Sequence, residues 1–351
     1  MNRNRLIYVA VLLLAIWLGV LTYQNSKQKT DTNPSDSIVN NYNVTGFSTD
    51  FSKIVEKSRS SIVTIDADKN ISSGFIYTSD DSTTYILCTY HGVDGANSIN
   101  VILDNNYSVS GQLLDYDIFS DIAILKADIP FKADSLKMGN SSLLNAGEFV
   151  ICIGTPVSLE YKGSVELGMI SNSLLTIENS IMFNSKKYNY YADMIQLSAN
   201  LLNGYSGSPI LNMNGEAVGI VTMSYKDEIC FALPINEAVM IADKIMASDD
   251  YTGKVQLGIK GTYVEDMQAY EKTNYNISID VISGLYVNAV NSEAVGYQCG
   301  IRSGDVIVSI NGVEMKSQQD YLNVSYNNEK VFEFVVIRNN EEVTLTGSIN
   351  D

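Results

Sequence analysis

The chain has one histidine, His91, in the stretch YILCTYHGVDGAN, where an apolar run gives way to a polar loop. A neutral imidazole is the usual base for a hydroxyl nucleophile near neutral pH, so the question is which hydroxyl and which carboxylate could join it. Asp121 stands in YDIFSDIAILK, directly ahead of a strongly apolar run. An acidic side chain there is costly unless a donor such as an imidazole N–H satisfies it, although Asp is also an ordinary turn residue leading into a strand. Ser206 stands in NGYSGSP between Gly204 and Gly207. Glycines around a serine permit backbone conformations in which amide N–H groups converge beside the hydroxyl, and Gly204 and Ser206 would supply that oxyanion hole. Taken singly, a Gly-x-Ser-Gly loop is a common turn and a lone histidine a common surface residue. Together, in the order His, Asp, Ser, they have the residue types that acyl transfer needs. One imidazole excludes any site that requires two. Four cysteines without a CxxC pair suit neither a zinc site nor a disulfide scaffold, so no metal or other cofactor is expected. Cys88, Cys152, Cys230 and Cys299 read as small hydrophobes.

The elements that must position these residues are short. Between residues 47 and 235 lie runs rich in Val, Ile, Thr and Tyr, among them SIVTIDA, SGFIYT, TYILCTY, INVIL, FVICIG, MIQLS and AVGIVTM. Gly, Asn, Asp and Ser break them at intervals near those of an all-β barrel or sandwich. Helical spacing is confined to FSKIVEKSRS at 51–60 and PINEAVMIADKIMAS at 234–248. DDYTGK at 249–254 reads as a hinge. Beyond it, VQLGIKG, GLYVNAV, DVIVSING, VFEFVVIR and EEVTLTGSI form a smaller β unit with one helical stretch at 317–324.

With 351 residues, 45% of them hydrophobic and 18% charged, the chain is long enough and apolar enough to fold as two or three units, which excludes a disordered or collagenous protein. A formal net charge of −17 repels phosphate backbones and argues against a nucleic-acid partner. Residues 6–23, LIYVAVLLLAIWLGVLTY, carry no charge and have the length of a membrane-crossing helix. Arg3 and Arg5 ahead of them keep the N-terminus cytoplasmic and export the rest. A cleaved signal peptide is the alternative, but the sequence after the run lacks a small-x-small cleavage site. Residues 24–46, dominated by Asn, Ser, Thr and Asp, read as a flexible linker.

The order of His91, Asp121 and Ser206 resembles that of the chymotrypsin-like double β-barrel, and the chain is more closely similar to the HtrA (Deg) family of exported or membrane-associated serine proteases. The likeness runs in order through FSKIVEKSRSSIVTI, SSGFIYTSD, YILCTYHGVDGANSINVIL, SDIAILKAD, MIQLSANLLNGYSGSPILNMNGEAVGI and FALPI. It implies a mainly β chain with a transmembrane anchor at 1–23, the linker at 24–46, a trypsin-like double-barrel protease domain at 47–248 and a PDZ domain at 255–351. By resemblance His91 is the general base, Asp121 orients it and Ser206 attacks the peptide carbonyl. Asn200, Leu201, Ile220, Val221 and Thr222 would line the substrate pocket. With no acid at Asn200, an apolar P1 residue is expected. Backbone amides around Gln256, Leu257, Gly258 and Ile259 would capture a peptide C-terminus, with strand addition beside them. The family pattern has Asn and Gly where this chain has Tyr205 and Ser208, which puts a bulky ring and an extra Cβ beside the oxyanion loop. The implied function is a membrane-anchored, homotrimeric, ATP-independent serine endopeptidase acting in protein quality control on unfolded or misfolded extracytoplasmic proteins. It would sit single-pass in the cell membrane with its bulk outside the cytoplasm. The alternative is a catalytically silent PDZ adapter or chaperone, to which only Tyr205 and Ser208 point.

Overall fold

A computed structural model describes residues 16–18, 20, 22 and 51–349, the last range apart from 69, 81–82, 184, 226–228 and 248–250. Most of the expected anchor at 6–23 and all of the linker at 24–46 fall outside the described residues. No helix among the described residues is long and apolar enough to cross a membrane.

Helix α1 (Phe51–Arg59) leads into six strands, β1 (Ile62–Ala67), β2 (Asn70–Ser79), β3 (Thr84–Thr89), β4 (Ile99–Ile102), β5 (Ser108–Asp117) and β6 (Ile122–Ala127). They close into a barrel in the order β1-β2-β3-β6-β5-β4. Closure removes the unpaired edges that short strands would otherwise expose. A second barrel follows, in the order β10-β11-β12-β9-β8-β7. Its strands are β7 (Phe149–Gly154), β8 (Ser164–Phe183), β9 (Lys186–Ser198), β10 (Pro209–Leu211), β11 (Ala217–Tyr225) and β12 (Ile229–Pro234). Helix α2 (Ile235–Ala247) then returns along the barrels with Ile235, Ala238, Ile241, Ala242 and Ile245 buried, the spacing of one apolar helix face.

The C-terminal sheet runs β13 (Ile259–Tyr263), β14 (Leu285–Val290), β15 (Val306–Ile310), β17 (Val331–Arg338) and β18 (Glu341–Ser348), with β16 (Val313–Glu314) paired to β15. Helices α3 (Ala269–Asn274), α4 (Val295–Gln298) and α5 (Gln318–Ser325) lie between its strands in sequence. Alternation places Phe332, Phe334 and Val336 of β17 in its core at no exposure. Burying each such side chain contributes about 1.5–3 kcal/mol. Arg338 grips the buried Asp305 with two donors, Nε at 2.7 Å and Nη2 at 2.8 Å, a fork that satisfies an otherwise costly charge.

The seam between the barrels is apolar and continuous with the C-terminal unit. One buried cluster takes Phe75, Leu87, Ile122 and Ile124 from the first barrel, Ile151, Ile220 and Leu233 from the second, Ile241 from α2, and Leu322 and Tyr326 from α5 and its end. Of the stretch that reads as a hinge, the described residues 251–254 are fastened down. The Tyr251 hydroxyl donates to Asp117 at 2.8 Å and Lys254 Nζ to the buried Glu237 at 2.7 Å. All four cysteines are free and buried.

Candidate active site

Strands β3 and β6 pair with Thr89 opposite Ile122, so the loop after one and the turn before the other emerge at the same end of the first barrel. That register brings His91 to Asp121. The main-chain carbonyl of Asp121 accepts from Tyr90 N at 3.1 Å, its Oδ1 from His91 N at 2.9 Å, and its Oδ2 lies 2.5 Å from His91 Nδ1. A carboxylate only accepts, so the proton on the ring sits at Nδ1 and the Nε2 lone pair is left for other work. Asp121 reaches this position with φ +57, a conformation Asp tolerates better than most residues. Burial opposes charging His91, but the hydrogen bond and the negative charge of Asp121 outweigh it and raise its pKa above the ordinary 6.5. A histidine so held is protonated over a wider range and becomes a working base only at a pH above that value.

The Ser206 loop lies in the connection from β9 to β10, residues 199–208, and is held from both barrels. Ser73 on β2 donates its N–H to Ser206 O and its hydroxyl to Gly204 O, both at 2.8 Å, while the same Oγ accepts from Thr155 N at 2.9 Å. Ser73 is fully buried. Val157 N donates to Asn203 O at 2.7 Å. In a trans peptide the N–H points opposite the C=O, so this bond turns the Gly204 N–H away from Val157. Neither Gly204 N nor Ser206 N has an acceptor among the described residues, whereas Tyr205 N donates to Leu202 O and Gly207 N to Val221 O. Two unpaired amides from one loop are what an oxyanion hole needs. Gly204 has φ +99, and a Cβ there would run into the Thr155 carbonyl oxygen. Val157 itself sits at φ +63, a strained conformation for a β-branched residue.

No hydrogen bond joins the Ser206 hydroxyl to the imidazole among the described residues. The link between the two is the frame. A Cβ on Gly207 would meet Ser73 O and lie 3.3 Å from Thr89 N, so the serine loop lies against β2 and against the end of β3, two residues before His91.

Tyr205 and Ser208 are both buried, their side chains lying against Gly154. The Tyr205 ring is 4% exposed and packs with Leu144, Val150 and Cys152 inside the second barrel, and Ser208 is fully buried. Of the five pocket candidates, Asn200 is exposed and its N–H donates to Glu166 at 3.3 Å, while Leu201, Ile220 and Val221 are core residues. Thr222 falls at a β-bulge between Val221 and Met223, and its buried hydroxyl has no partner among the described residues. Bulges re-aim side chains next to sites, which leaves Thr222 the candidate best placed to face a substrate. Sequence reasoning missed Ser73 and Val157. Ser73 lay in SSGFIYTSD with nothing in its residue type to mark it.

In the C-terminal unit the carbonyls of Gln256, Leu257 and Gly258 accept from Val295, Gly296 and Asn291 amides at 3.3, 3.0 and 2.8 Å, a turn completed by φ +68 at Gly258. Leu257 and Ile259 are core residues. Strand β13 begins only at Ile259 and lies at the sheet edge, beside a groove of about 490 Å³ that includes Gly261, Tyr263, Tyr321 and the barrel residue Asp193. An open edge strand next to a groove can accept an added peptide strand.

A family profile described as a trypsin-like peptidase domain matches residues 72–220, and one described as a PDZ domain matches residues 286–338. Curated relatives include the serine protease Do-like HtrB of Bacillus subtilis (strain 168), 30% identical over 289 residues that make up 79% of this chain and 61% of the relative. Another is the serine protease HTRA1A of Danio rerio, 32% identical over 284 residues, 78% of this chain and 56% of the relative. The chain therefore spans less than two thirds of the length of either. Among solved structures, the HtrA-type protease AlgW with tripeptide superposes with a TM-score of 0.60 at 23% identity, covering 85% of this chain and 96% of that one, a likeness of fold. With both domains matched in that order and HtrA serine proteases aligned over most of its length, the chain is a trypsin-like peptidase domain followed by a PDZ domain, similar to the HtrA serine proteases.

Proposed function

We propose that the chain is an ATP-independent serine endopeptidase whose triad is His91, Asp121 and Ser206, acting on exposed segments of unfolded extracytoplasmic proteins. The observation that carries the reading is the pairing of Asp121 with His91 Nδ1 at 2.5 Å, beside a serine loop whose Gly204 and Ser206 amides are unspent. In the proposed cycle Ser206 Oγ attacks the peptide carbonyl as His91 Nε2 takes its proton, and the two amides bind the oxyanion. His91 then returns the proton to the leaving amine, and a water activated by the same nitrogen hydrolyses the acyl-enzyme. Uncharged Asn200 and bulged Thr222 suit an apolar P1 residue. The PDZ groove at β13 would take peptide ends, the apolar run at 6–23 would anchor the chain in a membrane, and a homotrimer completes the family pattern.

The silent-adapter reading rests only on Tyr205 and Ser208, whose side chains are buried and leave the Gly204 and Ser206 amides unspent. Labelling the folded protein with a fluorophosphonate, with casein present, separates the two. A stoichiometric adduct on Ser206 is expected, and a protein that stays unlabelled is an adapter. Gly204→Ala is expected to lower kcat about 10²- to 10³-fold, the cost of one oxyanion donor, because the new methyl cannot coexist with the Thr155 carbonyl. Initial rates on a fluorogenic peptide with an apolar P1 residue check it, and unchanged kcat would remove Gly204 from the site.

A further inference from the structure

The turn that presents Asp121 is not supported by the barrels alone. Asp117, 1% exposed, accepts from Phe119 N at 3.0 Å and Ser120 N at 2.8 Å through Oδ1, which curls residues 117–120 into the turn ahead of Asp121. Its Oδ2 accepts from the Tyr251 hydroxyl at 2.8 Å and Lys254 N at 3.0 Å, both from the segment leading to the PDZ domain. The next contact comes from the PDZ domain itself. Tyr326, at the C-terminal cap of α5, has its hydroxyl 2.7 Å from Ser120 Oγ and donates to Glu237 Oε1 at 3.0 Å. Glu237 can only accept and takes the single Tyr326 proton, so Ser120, whose Oγ also lies 3.5 Å from Glu237 Oε1, gives its own proton to Tyr326 at the shorter distance. The same Glu237 oxygen takes Lys254 Nζ at 2.7 Å, and Tyr326, Ser120 and Glu237 are all buried. Buried bonds of this kind are held in one geometry, because breaking them leaves polar groups without water.

Ser120 is the residue before Asp121. We propose that Tyr326 is a positioning residue for the His91–Asp121 pair: by holding Ser120 from the PDZ side, it fixes the turn that aims the carboxylate at the imidazole. The docked C-terminal unit is then part of the support of the active site. This rests on the protease reading, since it needs Asp121 to orient a working base.

Tyr326→Phe keeps the ring in its apolar cluster and deletes only the hydroxyl. A small misplacement of a catalytic group costs up to about 100-fold in rate. In the full chain, with unfolded casein as substrate, Tyr326→Phe is expected to lower kcat roughly 10- to 100-fold with KM unchanged. Ser120→Ala should do the same, and the double variant should be no slower than either single one, because both break one link. A stability defect alone would lower the melting temperature and leave kcat of the folded fraction intact, and that result overturns the proposal. Independent, multiplying effects of the two substitutions overturn it as well. Ser206→Ala run in parallel separates the layers. If it stays active, the protease reading falls and this proposal with it; if it is dead while Tyr326→Phe is fully active, only the proposal falls.

Discussion

Ser206→Ala is expected to lower kcat for peptide cleavage by about 10⁶-fold, the order seen when a triad nucleophile is removed. The fold should not notice. What ties Ser206 to its surroundings is its backbone: its carbonyl accepts from Ser73 N at 2.8 Å, and the following Gly207 N donates to Val221 O at 2.7 Å. Alanine keeps both. The hydroxyl makes no hydrogen bond in the described structure, so its loss should change stability by no more than about 0.5 kcal/mol. Melting curves beside initial rates on casein make the comparison. Residual activity above a hundredth of wild type at an unchanged melting temperature would mean that another group is the nucleophile.

Asp121→Asn should cost about 10⁴-fold in kcat, the loss typical of an amide in place of the triad carboxylate. Asp121 uses both oxygens on the histidine, one for the main-chain N–H and one for Nδ1. Asparagine has a single oxygen. If it stays on the main chain, its NH₂ faces Nδ1 and favours the tautomer protonated at Nε2, which cannot accept the serine proton. The pH profile gives an independent reading. In the wild type the acid limb of kcat/KM is expected to have its midpoint above 6.5, because the hydrogen bond and charge of Asp121 raise the His91 pKa against the opposing effect of burial. Removing the charge moves that midpoint down. The stability linkage has the same origin: the extra stability of protonated His91 is present at low pH and fades as pH rises through the raised pKa, so the variant should lose more stability at pH 5 than at pH 9. The imidazole is half exposed, and solvent screening keeps that difference small. An acid limb that does not move would separate Asp121 from the base.

The order of His91, Asp121 and Ser206 was legible because the first two flank strand ends and the third lies in a glycine-rich break between strands, where the alternation stops. FVICIG and VFEFVVIR coincide with β7 and β17. The long hairpin of β8 and β9 was not read as such, since much of β8 is polar on both faces, as in SNSLLTIENS, and shows no buried stripe. Family position puts Ile220 and Val221 of β11 in the pocket, and in the fold both are buried in the core. An apolar residue in a strand can face either, and one residue of register decides which. VQLGIKG looked like a strand from its first residue, but the first three carbonyls after Val255 go to amides around α4, so pairing starts at Ile259. The reading of 249–254 as a hinge followed from Asp, Gly and Thr in series. What sequence could not supply was the partner across the fold: Asp117 for Tyr251, Glu237 for Lys254, Ser73 for the serine loop.

The four thiols lie at 88, 152, 230 and 299, each packed among apolar neighbours and none bonded to another. Every stabilising contact in this architecture is therefore non-covalent, and the chain can mature without an oxidant or an isomerase to sort its sulfurs. A reducing buffer should leave its unfolding midpoint where it was, since no crosslink holds the folded chain.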